Sequence, residues 1–146
     1  MVMIDGKDYP QDLYYDLENQ IWYEPLADGT IRSGFTPAAM DLAGEILIFT
    51  PKRIGHAFEA DRSFAIIEGG KWVGAALAAF AGKVVAANAE LERRPQLLNE
   101  DPFGAGWMLI IRPEAADWRE RLLTGPEIGP AFTKWSAEGA PRNPRR

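Results

Sequence analysis

RSFAIIEGGKWVGAALAAFAGKVVAA, residues 62–87, holds three strand-like runs separated by glycine: Arg62 to Glu68 with SFAII at its centre, Lys71 to Phe80, and Gly82 to Ala87. Apolar runs of this length, interrupted by Gly69-Gly70 and again at Gly82, predict β-strands joined by tight turns, where glycine adopts conformations closed to other residues. Lys71, preceded by two glycines within strand-like sequence, is expected at or near a hairpin tip with its ammonium in water. On spacing alone it is a solvated turn residue.

The same punctuation continues on both sides. Ile21 to Leu26 and Thr30 to Phe35, joined by Ala27-Asp28-Gly29, predict a β-hairpin. Thr36-Pro37 offers an N-cap followed by proline at the first helical position, so Ala38 to Ala43 should form a short helix stopped by Gly44. Glu45 to Thr50 reads as a strand closed by Pro51 and a turn at Gly55, and Trp107 to Arg112 as another. Asp12 is positioned to cap a helical turn through Tyr15, and Asn88 a short helix ended by Pro95. Pro113 to Leu123 places Ala116, Trp118, Leu122 and Leu123 roughly on one face, predicting a helix on the side of the barrel. Glu127 to Ala137 reads as a weaker helix broken at Gly129-Pro130. These elements predict a mainly β chain with small helices, a compact sandwich or barrel rather than a βαβ fold. Residues 1–139 are expected to form one domain, and 140–146, ending in PRNPRR, a disordered basic tail.

Composition excludes several chemistries. The 146 residues include no cysteine, so the polypeptide has no disulfide, thiolate metal site or thiol nucleophile of its own. The net charge is −5, and three arginines lie in the basic tail, so the body is more acidic still. An acidic body argues against nucleic acid, whose phosphates demand lysine and arginine patches. Nothing resembles a signal peptide, and no apolar run is long enough to span a bilayer, so a cytoplasmic protein is expected. His56 is the only histidine, and Glu45, Glu59, Asp61 and Glu68 lack the spacing of a metal cage. Gly-Gly-Lys lacks the following Ser/Thr of a phosphate loop, since Trp72 stands there. No catalytic constellation is evident, and an enzyme is not expected.

From Ile66 to Trp107 the chain resembles the H protein of the glycine cleavage system. Glu68 stands three residues before Lys71, Gly55 sixteen before it, and Gly82 eleven after it. Glu90-Leu91-Glu92, Pro95, Leu97-Leu98-Asn99, Asp101-Pro102-Phe103-Gly104 and Gly106-Trp107 follow in that family's order, and Gly34-Phe35-Thr36 and Leu42-Ala43-Gly44-Glu45-Ile46 resemble its upstream segments. The resemblance covers roughly Trp22 to Pro113. It implies a lipoyl-type barrel-sandwich hybrid with C-terminal helices, and lipoic acid held as an amide on Lys71. It further implies that Glu68, Gly55 and Gly82 serve recognition by the lipoylating enzyme, although positive backbone φ explains the two glycines equally well. Trp72 is a candidate contact to the arm or a partner, or packing within the hairpin.

Three departures separate the chain from the common pattern, one being Gly70 rather than a β-branched residue before the lysine. The family's H-x-W reads Gln20-Ile21-Trp22, and its S-P-x-S-G reads Ala78-Ala79-Phe80-Ala81-Gly82. Gly70-Lys71-Trp72-Val73-Gly74 and Phe49-Thr50-Pro51-Lys52 are instead similar to lipoate-binding proteins of a heterodisulfide-reductase-like sulfur-oxidation system. That similarity implies an arm presenting sulfur-bound intermediates to such a complex. The alternative is an H protein carrying an aminomethyl group among the glycine cleavage proteins. Dihydrolipoamide dehydrogenase is an expected partner for re-oxidising the arm. A bare H-like interaction module and a biotin carrier are the other readings, the second lacking its Met-Lys-Met signature.

Overall fold

The computed structural model describes residues 2–137, so the tail expected over 140–146 and the boundary at 139 lie outside the described residues. Its strands are β1 (Val2–Ile4), β2 (Lys7–Tyr9), β3 (Tyr14–Asp16), β4 (Ile21–Pro25), β5 (Ile31–Phe35), β6 (Ile46–Pro51), β7 (Ala57–Phe58), β8 (Ser63–Gly69), β9 (Val73–Leu77), β10 (Gly82–Ala87), β11 (Leu109–Pro113) and β12 (Leu123–Thr124). The helices are α1 (Pro37–Ala43), α2 (Glu90–Arg93), α3 (Leu97–Glu100) and α4 (Gly125–Ala137). A seven-stranded sheet in the order β12-β3-β4-β5-β11-β10-β7 faces a three-stranded sheet, β6-β8-β9, with β1-β2 a separate ribbon. This is the mainly β architecture expected from the sequence.

The β4 segment Ile21-Trp22-Tyr23 shows how the layers are held. Successive strand side chains point to opposite faces, yet all three residues are fully buried, so both faces of this strand are covered. Ile21 and Tyr23 join Phe49, Phe64, Ile67, Val84 and Ile111 in the core between the two sheets. Trp22 joins Tyr9, Tyr15, Ile128 and Phe132 in a second cluster, where α4 and the N-terminal ribbon cover the opposite face.

The β4-β5 hairpin forms as expected, with Gly29 at φ 88°. So does α1, whose N-cap Thr36 accepts from the Ala39 N–H and whose C-cap is Gly44. Between β10 and α3, the Asn88 side chain accepts from the Glu90 N–H, and its amide group donates to the carbonyls of Ala105 and Trp107 at 2.8 Å.

Three local expectations are corrected. Tyr14–Asp16 is a strand rather than part of a helical turn, because it pairs with β4 on one side and β12 on the other. Residues 114–122 form turns, with bonds reaching three residues back from Glu120 to Asp117 and from Leu122 to Arg119, instead of a helix. The span is tied at both ends to sheet, and so short a helix has little cooperativity to hold it together. Trp118 and Leu122 still enter the core, and Arg119 lies over the rings of Tyr14 and Trp118. Finally, α4 runs through Gly129-Pro130 without a break. Buried Ile128 and Phe132 anchor it on either side of the proline, while Glu127 accepts from the N–H and hydroxyl of Thr124 at its start. Among the described residues, no helix is long and apolar enough to cross a membrane.

Candidate functional site

Strands β8 and β9 pair antiparallel, with Glu68 opposite Val73, and the chain reverses through Gly69, Gly70, Lys71 and Trp72. The Gly69 N–H donates to the Trp72 carbonyl at 2.8 Å and closes the tip. Two further donors leave the hairpin for the segment after α1: the Gly70 N–H reaches the Glu45 carbonyl at 2.9 Å, and the Lys71 N–H the Ala43 carbonyl at 3.0 Å. The tip is thereby strapped to a second element, although Lys71 itself is exposed.

The strap depends on residues too small to intervene. A Cβ at Gly69 would stand 2.5 Å from the Ala43 carbonyl oxygen, so only glycine permits this approach. At Gly44, where φ is 77°, a Cβ would meet Lys71 Cγ at 3.1 Å; the lysine's methylene stem lies along that glycine. Asn99 of α3 holds the same segment from behind. Its amide nitrogen donates to the Gly44 carbonyl and its oxygen accepts from the Ile46 N–H, both at 2.9 Å. Among the described residues, no carboxylate comes within ion-pairing distance of the Lys71 ammonium. A rigid backbone thus carries an amine open to water, which is the arrangement that covalent attachment of a flexible group requires.

The other residues singled out from the sequence fall into two places. Glu68 is at the lysine end of β8, half-buried and paired across strands with Ile48 and Val73. Trp72 is not presented outward. Its side chain is 5% exposed and folds over Gly74, where a Cβ would stand 2.1 Å from the indole Cζ2. Packing within the hairpin is therefore the role the structure shows. Gly55 follows the end of β6 opposite the tip, and Gly82 begins β10 in the other sheet, paired with Phe58, so neither adjoins the tip. Gly55 has φ 90° and donates to the Val84 carbonyl, as a turn glycine should. Positive φ does not explain Gly82: it admits β11, since a Cβ there would meet the Arg112 carbonyl oxygen at 2.6 Å. The structure brings Lys71 and Glu68 together and leaves these two glycines apart.

The sequence reading missed Asn99, Gly44 and Gly74 as parts of this site. In the sequence Gly44 stands as a helix stop and within a family-like segment, and Asn99 and Gly74 only within such segments, with no role at the site marked for any of them. Their partners lie 55 and 53 residues away for Asn99, at Gly44 and Ile46.

The sequence pattern described as Glycine cleavage H-protein matches residues 13–134 of this chain. The chain belongs to the glycine cleavage H-protein family. Among its relatives, Glycine cleavage system H protein 2 of Aquifex aeolicus is 39% identical over 119 residues, covering 81% of this chain and 74% of the relative. The glycine cleavage system H protein of Mycobacterium bovis is 38% identical over 110 residues, covering 75% of this chain and 81% of the relative. The crystal structure of a glycine cleavage system H protein from Mycobacterium marinum superposes with a TM-score of 0.75 at 28% identity, covering 86% of this chain and 99% of the other. H-protein family members are non-catalytic carriers with lipoic acid covalently attached to a lysine.

Proposed function

We propose that Lys71 is the lipoyl-bearing lysine of this H-family carrier. The observation that carries this reading is the strapped tip: the backbone at residues 69–72 is tied to Ala43 and Glu45, while the lysine on it is exposed. These residues fit the group, since the amine is accessible for acylation and Gly44 leaves room for the stem below it. Attached lipoic acid supplies a dithiolane, the redox and group-carrying function absent from a cysteine-free chain. The protein's own part is to hold the anchor still. A fixed base on a flexible arm keeps the local concentration of the arm's end high for each partner in turn.

Intact mass of the protein from a lipoylation-competent host tests the assignment. The parent is expected to gain one lipoyl group and Lys71→Arg none. A modified Lys71→Arg protein, or a bare parent where the machinery modifies another substrate, overturns it.

For the pathway, the heterodisulfide-reductase-like sulfur system is the reading we favour. It is supported by the similarity of the Gly70-Lys71-Trp72-Val73-Gly74 segment, in which the Trp72 indole packs over Gly74. Three relatives are separately numbered H proteins of one organism, Aquifex aeolicus, in keeping with carriers that serve different partners. The second reading, glycine cleavage with its own partner proteins, is favoured by the names those relatives bear. Offering the lipoylated protein separately to glycine decarboxylase and to the heterodisulfide-reductase-like complex discriminates them. A response from the sulfur system is expected; efficient use by glycine decarboxylase alone reverses the preference.

A further inference from the structure

The outer face of the three-stranded sheet carries apolar side chains in water beside the lysine. Ile48, Glu68 and Val73 stand opposite one another across β6, β8 and β9 and form one row. Ile48 is 48% exposed and Val73 57%, and Ile66, two residues before Glu68 on the same face, is 38% exposed. The register of β6 shifts between Ile46 and Ile48, so Leu47 is also turned out, at 52% exposure. An irregularity of this kind re-aims side chains and is a built feature of the strand. Here it adds Leu47 to the apolar surface at the lysine end of the sheet. Contiguous apolar surface of this sort, left open beside a modification site, marks an interaction face.

We propose that this row, Leu47, Ile48 and Val73 around Glu68, is the surface on which the lipoylating enzyme docks. The proposal rests on Lys71 being the attachment site. The reach of the substrate selects the occupant: a bare lysine extends only about 6 Å from its Cα. An enzyme that acylates its amine must therefore cover the tip and what adjoins it, whereas a partner of the completed, longer arm has no such need. Charge selects the chemistry of its surface. Glu68 lies within the row, Glu45 follows α1 beside the tip, and the chain carries a net charge of −5. The complement is an apolar patch bearing an arginine or lysine against Glu68. A second copy of this chain fits poorly, because a two-fold contact centred on the row would bring like carboxylates together as water is expelled.

Lipoylation of the unmodified full chain by a purified lipoate–protein ligase, with lipoic acid and ATP and read by intact mass, tests the proposal. The double variant Ile48→Thr/Val73→Thr keeps β-branched residues on both strands. Its KM is expected to rise roughly tenfold or more with kcat little changed, as for loss of apolar anchors at an interface, while its Tm stays near the parent's. The single variants serve in its place if the double variant does not fold. Ile54→Thr, exposed but beyond the far end of β6, is expected to retain the parent's KM. Added salt should raise the parent's KM and affect Glu68→Gln less. An unchanged KM in the folded threonine variants overturns the proposal. So does self-association of the parent that these variants abolish without slowing lipoylation. Lipoylation of Lys71→Arg would instead overturn the attachment site on which the proposal rests.

Discussion

Burying Trp72 sets two effects against each other. Its indole Nε1 has no hydrogen-bond partner among the described residues, which costs about 1–3 kcal/mol when a donor is buried. Removing an aromatic side chain of about 150–250 Å² from water, at about 25 cal/mol per Å², contributes roughly 4–6 kcal/mol. Burial wins, and Gly74 provides the space. Gly74→Ala places a methyl group where the indole lies. Overpacking of this kind is expected to destabilise the protein by about 1–3 kcal/mol. Urea unfolding measures the loss, and a red shift of tryptophan emission relative to the parent reports the displaced ring. The same variant tests whether Trp72 supports the tip, since the lipoylation rate should fall with it.

At the scale of elements, the lysine hairpin depends on a helix that holds the segment the tip is strapped to. Asn99 in α3 bridges Gly44 and Ile46, and the carbonyls of Ala43 and Glu45 receive the tip's N–H groups. Asn99→Ala leaves a donor and an acceptor without partners and is expected to cost about 1–3 kcal/mol. Hydrogen exchange at the Gly70 and Lys71 amides should accelerate more than at core amides of β4, showing that the strap has loosened. Asn99→Asp retains the acceptor for the Ile46 N–H and should recover part of the protection. In α4, Thr124→Ala removes the hydroxyl that donates to Glu127 and should lower the thermal midpoint slightly.

For the molecule as a whole, the two cores share one weakness, which is alkali. Burial raises the Tyr9 hydroxyl to about 12, and also pushes up Tyr15 and Tyr23. In the unfolded chain these groups ionise near their ordinary value of about 10. The unfolded state therefore releases protons first, so stability is full below pH of about 10 and falls as pH rises through the raised values. Denaturant midpoints should fall steeply above that pH, and tyrosinate absorbance should appear together with unfolding. Tyr9→Phe should lessen the slope if its other contacts persist, because Tyr9 packs against Tyr15, Phe103 and Phe132 through its ring.

The elements legible in the sequence were those whose signals are local. Asp28-Gly29 in the hairpin and Thr36-Pro37 at the start of α1 each specify backbone conformation within a few residues, and each stands where expected; Gly69-Gly70 marked the turn before Lys71, but Gly69 is needed there for its approach to Ala43 rather than for a positive φ. The family motifs likewise marked Lys71 and Glu68 as belonging together. Local signals misled where sheet pairing overrode them at Tyr14–Asp16, where the ends of 114–122 were tied to strands, and where core contacts carried α4 through Pro130. Nor did they show that Trp72 turns inward or that Asn99 secures the tip. Those outcomes depend on which carbonyls and side chains meet after the chain has folded: Trp72 joins the core between the sheets, and the partners of Asn99 lie more than fifty positions away, with no local mark of it. The sequence alone determined the strand pattern and the lysine at its turn; the tertiary structure alone decided what holds that turn in place and which face beside it is left open.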